Sequence, residues 1–507
     1  MGGTSDYREA ERSSVADYLR NNLALESNAR IGLLSFNQWY WTTAALVETA
    51  AAAHSIGAEI TVAWWADDTP LPDPGWRFSR NACRLLRSKP IEKSAQDLLE
   101  SLGIPSTSFV APPLHRYRPT HLPAIPEPLT REAIRHLAYK GTGMGRSILQ
   151  VHPDFNTPIR DDYVWPRRWV ASAVRSYAWV YDQTIEFIRQ RELSTIVVFN
   201  GRFTHDRAAA AAADASGVQV LYYDTGGLDT DFDLTDHTTH DWDALQGRML
   251  DLWDRWGNER ENIAHAWFAN REDHSEPGIE VFIGIQQSKH LPELPQGQKL
   301  VVFFSSSGDE MVEMDLDWSE YFESQEQAVR TLAQVCAELP DTTLVVRTHP
   351  HMRLKPTDDL ARWVAAIESI GSNVHIPPDS PTDSYALMRL ADRVITYGST
   401  SGIEAAYRER PVAVMGPSAY QLLGCVTPLH SADDLKRWLV DDPDIAPEKS
   451  LPYGLMMQRR GFHHEWLTRG PDGRLGRGEV TLTDPASRAQ KVSHFMKSVT
   501  TKWLTRS

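Results

Sequence analysis

Residues 391–416, ADRVITYGSTSGIEAAYRERPVAVMG, limit the fold more than any other stretch of this chain. A β-branched run at 394–396 ends in the small-residue turn 398–402. A helical stretch from Ile403 to about Arg408 follows, and the apolar run 412–414 closes the unit. Strand, tight turn, helix, strand is the repeating unit of an open parallel sheet, whose ligands bind at the carboxyl edge of the strands. At that edge a helix start offers unpaired backbone N–H groups and the positive end of its dipole, to which Ser399, Thr400 and Ser401 add hydroxyls. A phosphate fits this pattern; an ordinary Ser/Thr helix cap is the plain alternative. Glu404, in the first helical turn, is placed to reach the sugar hydroxyls of a nucleotide.

The same alternation runs through the rest of the chain. Residues 31–35 and 59–65 read as strands around an alanine-rich helix at 42–56, closed by Gly57. A helix at 91–102 and a short strand at 107–110 follow. Pro166 opens a long helix to 192, in the first turn where its missing N–H costs nothing. Strands at 195–199 and 218–223 flank a helix at 206–215, and 241 to about 270 is helical. In the second half, strands at 300–304, 344–347 and 374–376 alternate with helices at 324–339, 358–369 and 384–391. The first of these helices opens on a capping box, Ser324 and Gln327. The expected class is α/β, two Rossmann-like domains with parallel sheets facing a cleft. A length of 507 residues calls for two or three domains. The expected division is an amino-terminal domain 1–275, a carboxyl-terminal domain 276–480 and a terminal helix 481–507, with the junction in the polar, proline-marked segment 271–298. The terminal helix carries Val492, Phe495, Val499 and Trp503 at helical spacing among Lys491, Lys497, Lys502 and Arg506. Packing back across the two domains is its plainer use; contact with a membrane surface is the other.

Composition removes several function classes. A formal net charge of −15 argues against nucleic acid as a partner. Three cysteines, Cys83, Cys336 and Cys425, lie far apart without metal-ligand spacing, as in a reducing compartment. The polar start is no signal peptide, and no window approaches the ~20 apolar residues of a membrane span. The expected location is the cytoplasm, free or at the inner face of the membrane. The oligomeric state is open.

Chemistry-bearing residues gather at predicted strand ends. Asp224-Thr225-Gly226-Gly227 follows one strand, and Asp224 can serve as a general base or as a turn residue before two glycines. Asn200-Gly201-Arg202 follows another. His205, just beyond it, is a second base candidate, and Asn200 and Arg202 can hold an anionic acceptor or shape the site. His349-Pro350 follows a third; an imidazole near a phosphate can stabilise a leaving group's charge, with His351 as the alternative. Asp229-Thr230-Asp231 and Asp231-Phe232-Asp233 match a metal-binding DxD pattern, but in so acidic a chain they read as a solvated loop. No metal site is expected. Residues 141–147, GTGMGRS, look like a phosphate cradle without the Lys-Ser/Thr of a P-loop. No GxGxxG fingerprint and no GxSxG elbow is present.

The segment from Val301 to Gly416 resembles the carboxyl-terminal domain of GT-B glycosyltransferases. The likeness is to capsule-polysaccharide enzymes, including Kdo transferases, and to CDP-glycerol glycerophosphotransferases, on His349-Pro350 and Ser399-Thr400-Ser401. The resemblance implies that these two features bind the donor's phosphate, with Ser305, Ser306, Gly308, Arg347 and Glu404 as further donor contacts. It implies an acceptor side at Asn200, Arg202 and His205, and a base at Asp224. Here Tyr223-Asp224-Thr225-Gly226 departs from the group's acidic motif, since one acid rather than two precedes the glycine. The implied activity is metal-independent transfer of a sugar from a nucleotide-activated donor, CMP-linked in the nearest group, to a hydroxyl of a surface or capsular polysaccharide, with no cofactor besides that co-substrate. A non-hydrolysing sugar-nucleotide epimerase and a catalytically inactive binding protein of the same fold are the alternatives.

Overall fold

The computed structural model describes residues 14–22, 29–36, 40–65, 80–104, 107–111, 114–119, 121–150, 163–228, 230–273, 285–307, 313, 321–354, 357–369, 374–471 and 473–483. The chain divides into two compact units. One, the amino unit, comprises 1–154, 164–239 and 461–507; the other, the carboxyl unit, comprises 155–163 and 240–460.

The amino unit is built on strands β1 (Arg30–Ser35), β2 (Glu59–Trp64), β3 (Thr107–Ser108), β4 (Thr195–Phe199), β5 (Gln219–Thr225) and β6 (Asp231–Thr235). Its sheet runs in the order β6-β5-β4-β1-β2-β3, with the short strand Phe462–His463 added outside β6. The pairs from β5 to β3 are parallel, whereas β6 is antiparallel to β5 and Phe462–His463 antiparallel to β6. Near-continuous apolar runs such as TIVVF in β4 are fully buried, as a sheet covered on both faces requires.

Helix α1 (Tyr40–Ser55) is buried from Thr42 through Ala53, and its alanines seat it close against the sheet. Glu48 sits inside that apolar run at 0% exposure. Its carboxylate accepts the backbone N–H groups of Glu465 (3.0 Å), Trp466 (3.1 Å) and Leu467 (2.6 Å). A buried anion is tolerated when donors replace its water, and these three do so. They also clip the late segment around 465–467 onto the amino unit.

The carboxyl unit has the more regular sheet. Strands β7 (Lys299–Phe304), β8 (Thr342–Arg347), β9 (Val374–Ile376), β10 (Arg393–Thr396), β11 (Val412–Val414) and β12 (Thr427–Pro428) run in the order β9-β8-β7-β10-β11-β12, all parallel. The expected parallel α/β sheets are therefore both present. Ser324 accepts the N–H of Gln327 at 3.1 Å, while the Gln327 amide oxygen accepts from Glu323 rather than from Ser324.

Three local expectations are corrected. The acidic run at 229–233 is not a solvated loop over its described part: Asp231 to Thr235 form the buried strand β6, because a hairpin from β5 puts Phe232 and Leu234 in the core. The helix expected from 241 to 270 is two, α2 (Trp242–Arg255) and α3 (Arg260–Glu272), interrupted around Gly257. Both pack into the carboxyl unit through Met249, Trp267 and Phe268, so the division falls at 239/240 and not near 275. Residues 142–143 form a small hairpin strand, and a Cβ on Gly145 would stand 1.9 Å from the Ile134 carbonyl oxygen. The glycines there serve close backbone packing. Val480–Thr481 is a short strand, and the rest of the expected terminal helix lies outside the described residues. Among the described residues no helix is long and apolar enough to cross a membrane.

Candidate functional site

In the amino unit the carboxyl ends of β4 and β5 bring together an asparagine and two acids. The chain leaves β4 through two consecutive left-handed residues, Asn200 (φ +47°) and Gly201 (φ +75°). A Cβ on Gly201 would lie 2.5 Å from the Tyr222 ring, so only glycine fits. This turn aims the Asn200 side chain at β5, where its Nδ2 donates to Asp224 Oδ2 at 3.0 Å. The same amide's oxygen accepts the N–H of Arg202 at 3.1 Å, and the N–H of Thr225 donates to Asp224 Oδ1 at 2.7 Å. Asp224 is half-buried and thus held by a donor on each oxygen.

Arg202 donates to Gln150, and its guanidinium lies over Phe203. His205 is buried, its ring 5.7 Å from that of Phe36. The structure therefore joins Asn200 to Asp224, and gives Arg202 and His205 partners of their own.

Sequence reading passed over Asp206. It stands in the first turn of helix α4 (Thr204–Ala215), 1% exposed, and neither carboxylate oxygen has a hydrogen-bond partner. Burial, with a smaller push from the Asp224 charge, raises its pKa well above the ordinary range, although the backbone N–H groups of Asp206 and Phe199 pull weakly the other way. The one available signal was an acid directly after the Asn200-Gly201-Arg202 turn, at the head of an alanine helix.

In the carboxyl unit the ends of β7, β8 and β10 carry the second group. Ser305 is buried; its N–H donates to the Arg347 carbonyl at 3.1 Å and its Oγ accepts the N–H of His349 at 2.8 Å. Ser306 N–H donates to Gln325 Oε1 at 2.6 Å. His349 Nδ1 accepts the N–H of His351 at 3.2 Å, which assigns the neutral ring's proton to Nε2.

Arg347 is 2% exposed and donates through Nη1 to the Pro377 carbonyl at 2.6 Å, while its Nε and Nη2 meet no acceptor. Burial lowers its pKa to about 10, so it stays charged near neutrality. Ser305, Ser306, Arg347 and His349 therefore share one sheet edge. Gly308 lies outside the described residues.

Ser399, Thr400 and Ser401 open helix α5 (Ser401–Tyr407), and all three are half-buried. Ser399 Oγ accepts the N–H of Ser401 at 3.3 Å, and the Tyr420 hydroxyl donates to the Ser399 carbonyl. Glu404 departs from expectation. It is 4% exposed and ion-paired with Arg271 of α3, so its carboxylate anchors α5 to α3. Arg408 adds a bond from Nη1 to the Glu404 carbonyl (2.8 Å) and an ion pair to Glu272 (2.8 Å). Among the described residues no group of three His, Cys, Asp or Glu is placed to hold a metal ion.

Residues 292–444, inside the carboxyl unit, match the family model described as capsule polysaccharide biosynthesis protein. The chain resembles the capsule-polysaccharide proteins. The match covers β7 through β12 and so includes Ser305, Arg347, His349 and Ser399–Ser401, leaving the amino unit outside it. No curated protein matches the sequence.

Among solved structures, the chain is similar to the β-Kdo 2,7 transferase of Thermosulfurimonas dismutans KpsC, at 14% identity over 54% of this chain and 80% of that one, with a TM-score of 0.34. The β-Kdo 2,4 transferase of the same KpsC gives 15% identity over 52% and 79%, with a TM-score of 0.36. The UDP-GlcNAc 2-epimerase of Neisseria meningitidis, bound to UDP-GlcNAc, gives 10% identity over 85% and 97%, with a TM-score of 0.27.

Proposed function

We propose that this protein is a glycosyltransferase of capsule-polysaccharide assembly, taking a sugar from a nucleotide-activated donor to a hydroxyl of a carbohydrate acceptor. The observation that carries the reading is the pairing of one oriented carboxylate, Asp224, with a capsule-synthesis segment whose strand ends gather Ser305, Arg347, His349 and the 399–401 hydroxyls. Asp224 takes the proton of the acceptor hydroxyl. The freed oxygen attacks the donor's anomeric carbon, the bond from that carbon to the phosphate oxygen breaks, and the nucleotide departs with the electron pair.

Donors aimed at that departing oxygen lower the barrier, and no metal is invoked. His349 Nε2–H, the hydroxyls of Ser399, Thr400 and Ser401, and the unmet N–H directions of Arg347 are such donors. Asn200 holds Asp224 in the orientation of a base and favours its anion. A donor with a CMP leaving group, work in the cytoplasm or at the inner face of the membrane, and acceptor contacts from Arg202 and His205 complete the reading.

The test separates binding from chemistry. Asp224→Asn is expected to abolish turnover while CMP, CDP, UDP or GDP still raises the melting temperature as in the wild type. Ser399→Ala with Thr400→Ala is expected to weaken that nucleotide effect by about tenfold in Kd, the loss of roughly 1.4 kcal/mol. No thermal shift with any of the four nucleotides would remove the donor site, and with it the transferase reading.

A further inference from the structure

We propose that Asp206 and Asp224 form a carboxyl pair that carries a single negative charge, with Asp206 keeping its proton as a positioning residue and Asp224 serving as the anion. The donors decide which acid is charged. Asp224 receives Asn200 Nδ2–H at 3.0 Å and Thr225 N–H at 2.7 Å, one on each oxygen, and stands half-buried. Asp206 is 1% exposed, and among the described residues no donor bonds either of its oxygens. An anion stripped of water with no donor is far costlier than one holding two, so the charge settles on Asp224.

The surroundings of Asp206 supply no counter-charge. Its sheet-side neighbours are the buried ring of Tyr223 on β5, Asp224 itself and the backbone of Phe199 on β4. Arg207, next along the helix, acts on Tyr177 and Tyr222, and His205 packs against Phe36. The direction of the Asp206 pKa agrees with this geometry. A second anion here would repel the Asp224 carboxylate and strain its bond to Asn200. The neutral acid fills the space under the turn without doing so.

The pair leaves a signature that needs no substrate, so its failure is distinct from failure of the transferase reading. A carboxyl held protonated in the fold and ionised in the unfolded chain contributes stability that is complete below the unfolded pKa, near 3.9, and is lost as pH rises toward the folded value. Relative to Asp206→Asn, which cannot ionise, the wild-type unfolding constant should therefore rise about tenfold per pH unit above about pH 4.

Urea denaturation of both proteins between pH 4 and 8 reads this directly. Parallel stability curves over that range would overturn the proposal. Infrared difference spectra supply the second measurement, usable even if Asp206→Asn folds poorly. The wild type should show the carbonyl stretch of a protonated carboxylic acid at neutral pH, and Asp224→Asn, which removes the neighbouring charge, should lose that band at a lower pH. Absence of the band in the wild type, or an unchanged midpoint in Asp224→Asn, would equally overturn it.

Discussion

A single backbone residue, Gly201, decides whether the amino unit has an oriented base. Its φ of +75° and the Tyr222 ring 2.5 Å from any Cβ leave no space for a side chain, and the turn it completes sends Asn200 to Asp224. Gly201→Ala is expected to destabilise the amino unit by roughly 1–3 kcal/mol, the usual cost of a forced left-handed residue, as read by urea denaturation. Because Asn200 is itself left-handed at φ +47°, strain at 201 should also loosen the Asn200–Asp224 bond and lower turnover beyond the stability loss. This residue-level arrangement was only partly legible in the sequence. Asn200, Arg202, His205 and Asp224 were picked out by type and position, but nothing in a linear chain says that Asn200 faces Asp224 or that Asp206 lies buried beside it. Partnership across strands depends on register, which local pattern does not encode.

Elements with strong local signals were readable, and those fixed by tertiary contact were not. The strands Thr195–Phe199, Val374–Ile376 and Val412–Val414 follow from β-branched and apolar runs alone. By contrast β6 hides in an acidic segment, because its burial comes from the hairpin with β5 and from the late strand Phe462–His463. The same distinction governs α5. Seven residues make a marginal helix in isolation, so its placement depends on Glu404 pairing with Arg271 and on Tyr420 binding the Ser399 carbonyl. Arg271→Ala would leave Glu404 buried without that partner and is expected to cost the carboxyl unit roughly 3–5 kcal/mol. Adding Glu404→Gln should recover part of the loss, a coupling that a double-mutant cycle measures. Equal and additive losses would mean that the pair does not hold the helix.

At the scale of the molecule the notable fact is that sequence order and unit order disagree. The amino unit is interrupted by the carboxyl unit and resumes at 461, where Phe462–His463 extends its sheet and Glu48 receives the N–H groups of 465–467. Ending the chain after Arg460 should therefore destabilise the distant amino unit and spare the adjacent carboxyl one. Hydrogen exchange checks this: amides of β6 and α1 should lose protection, while those of β7, β8 and β10 keep it. Simple length and composition suggested two domains in succession, since a linear reading has no means of seeing a return crossing. The return also has a consequence for biosynthesis. A ribosome emits everything the carboxyl unit needs before it emits the clip for Glu48, a wait on the order of tens of seconds at ordinary elongation rates. During that interval the nascent amino unit holds an uncapped sheet margin and a carboxylate without its donors, which makes it the half of the newborn chain most in need of a chaperone.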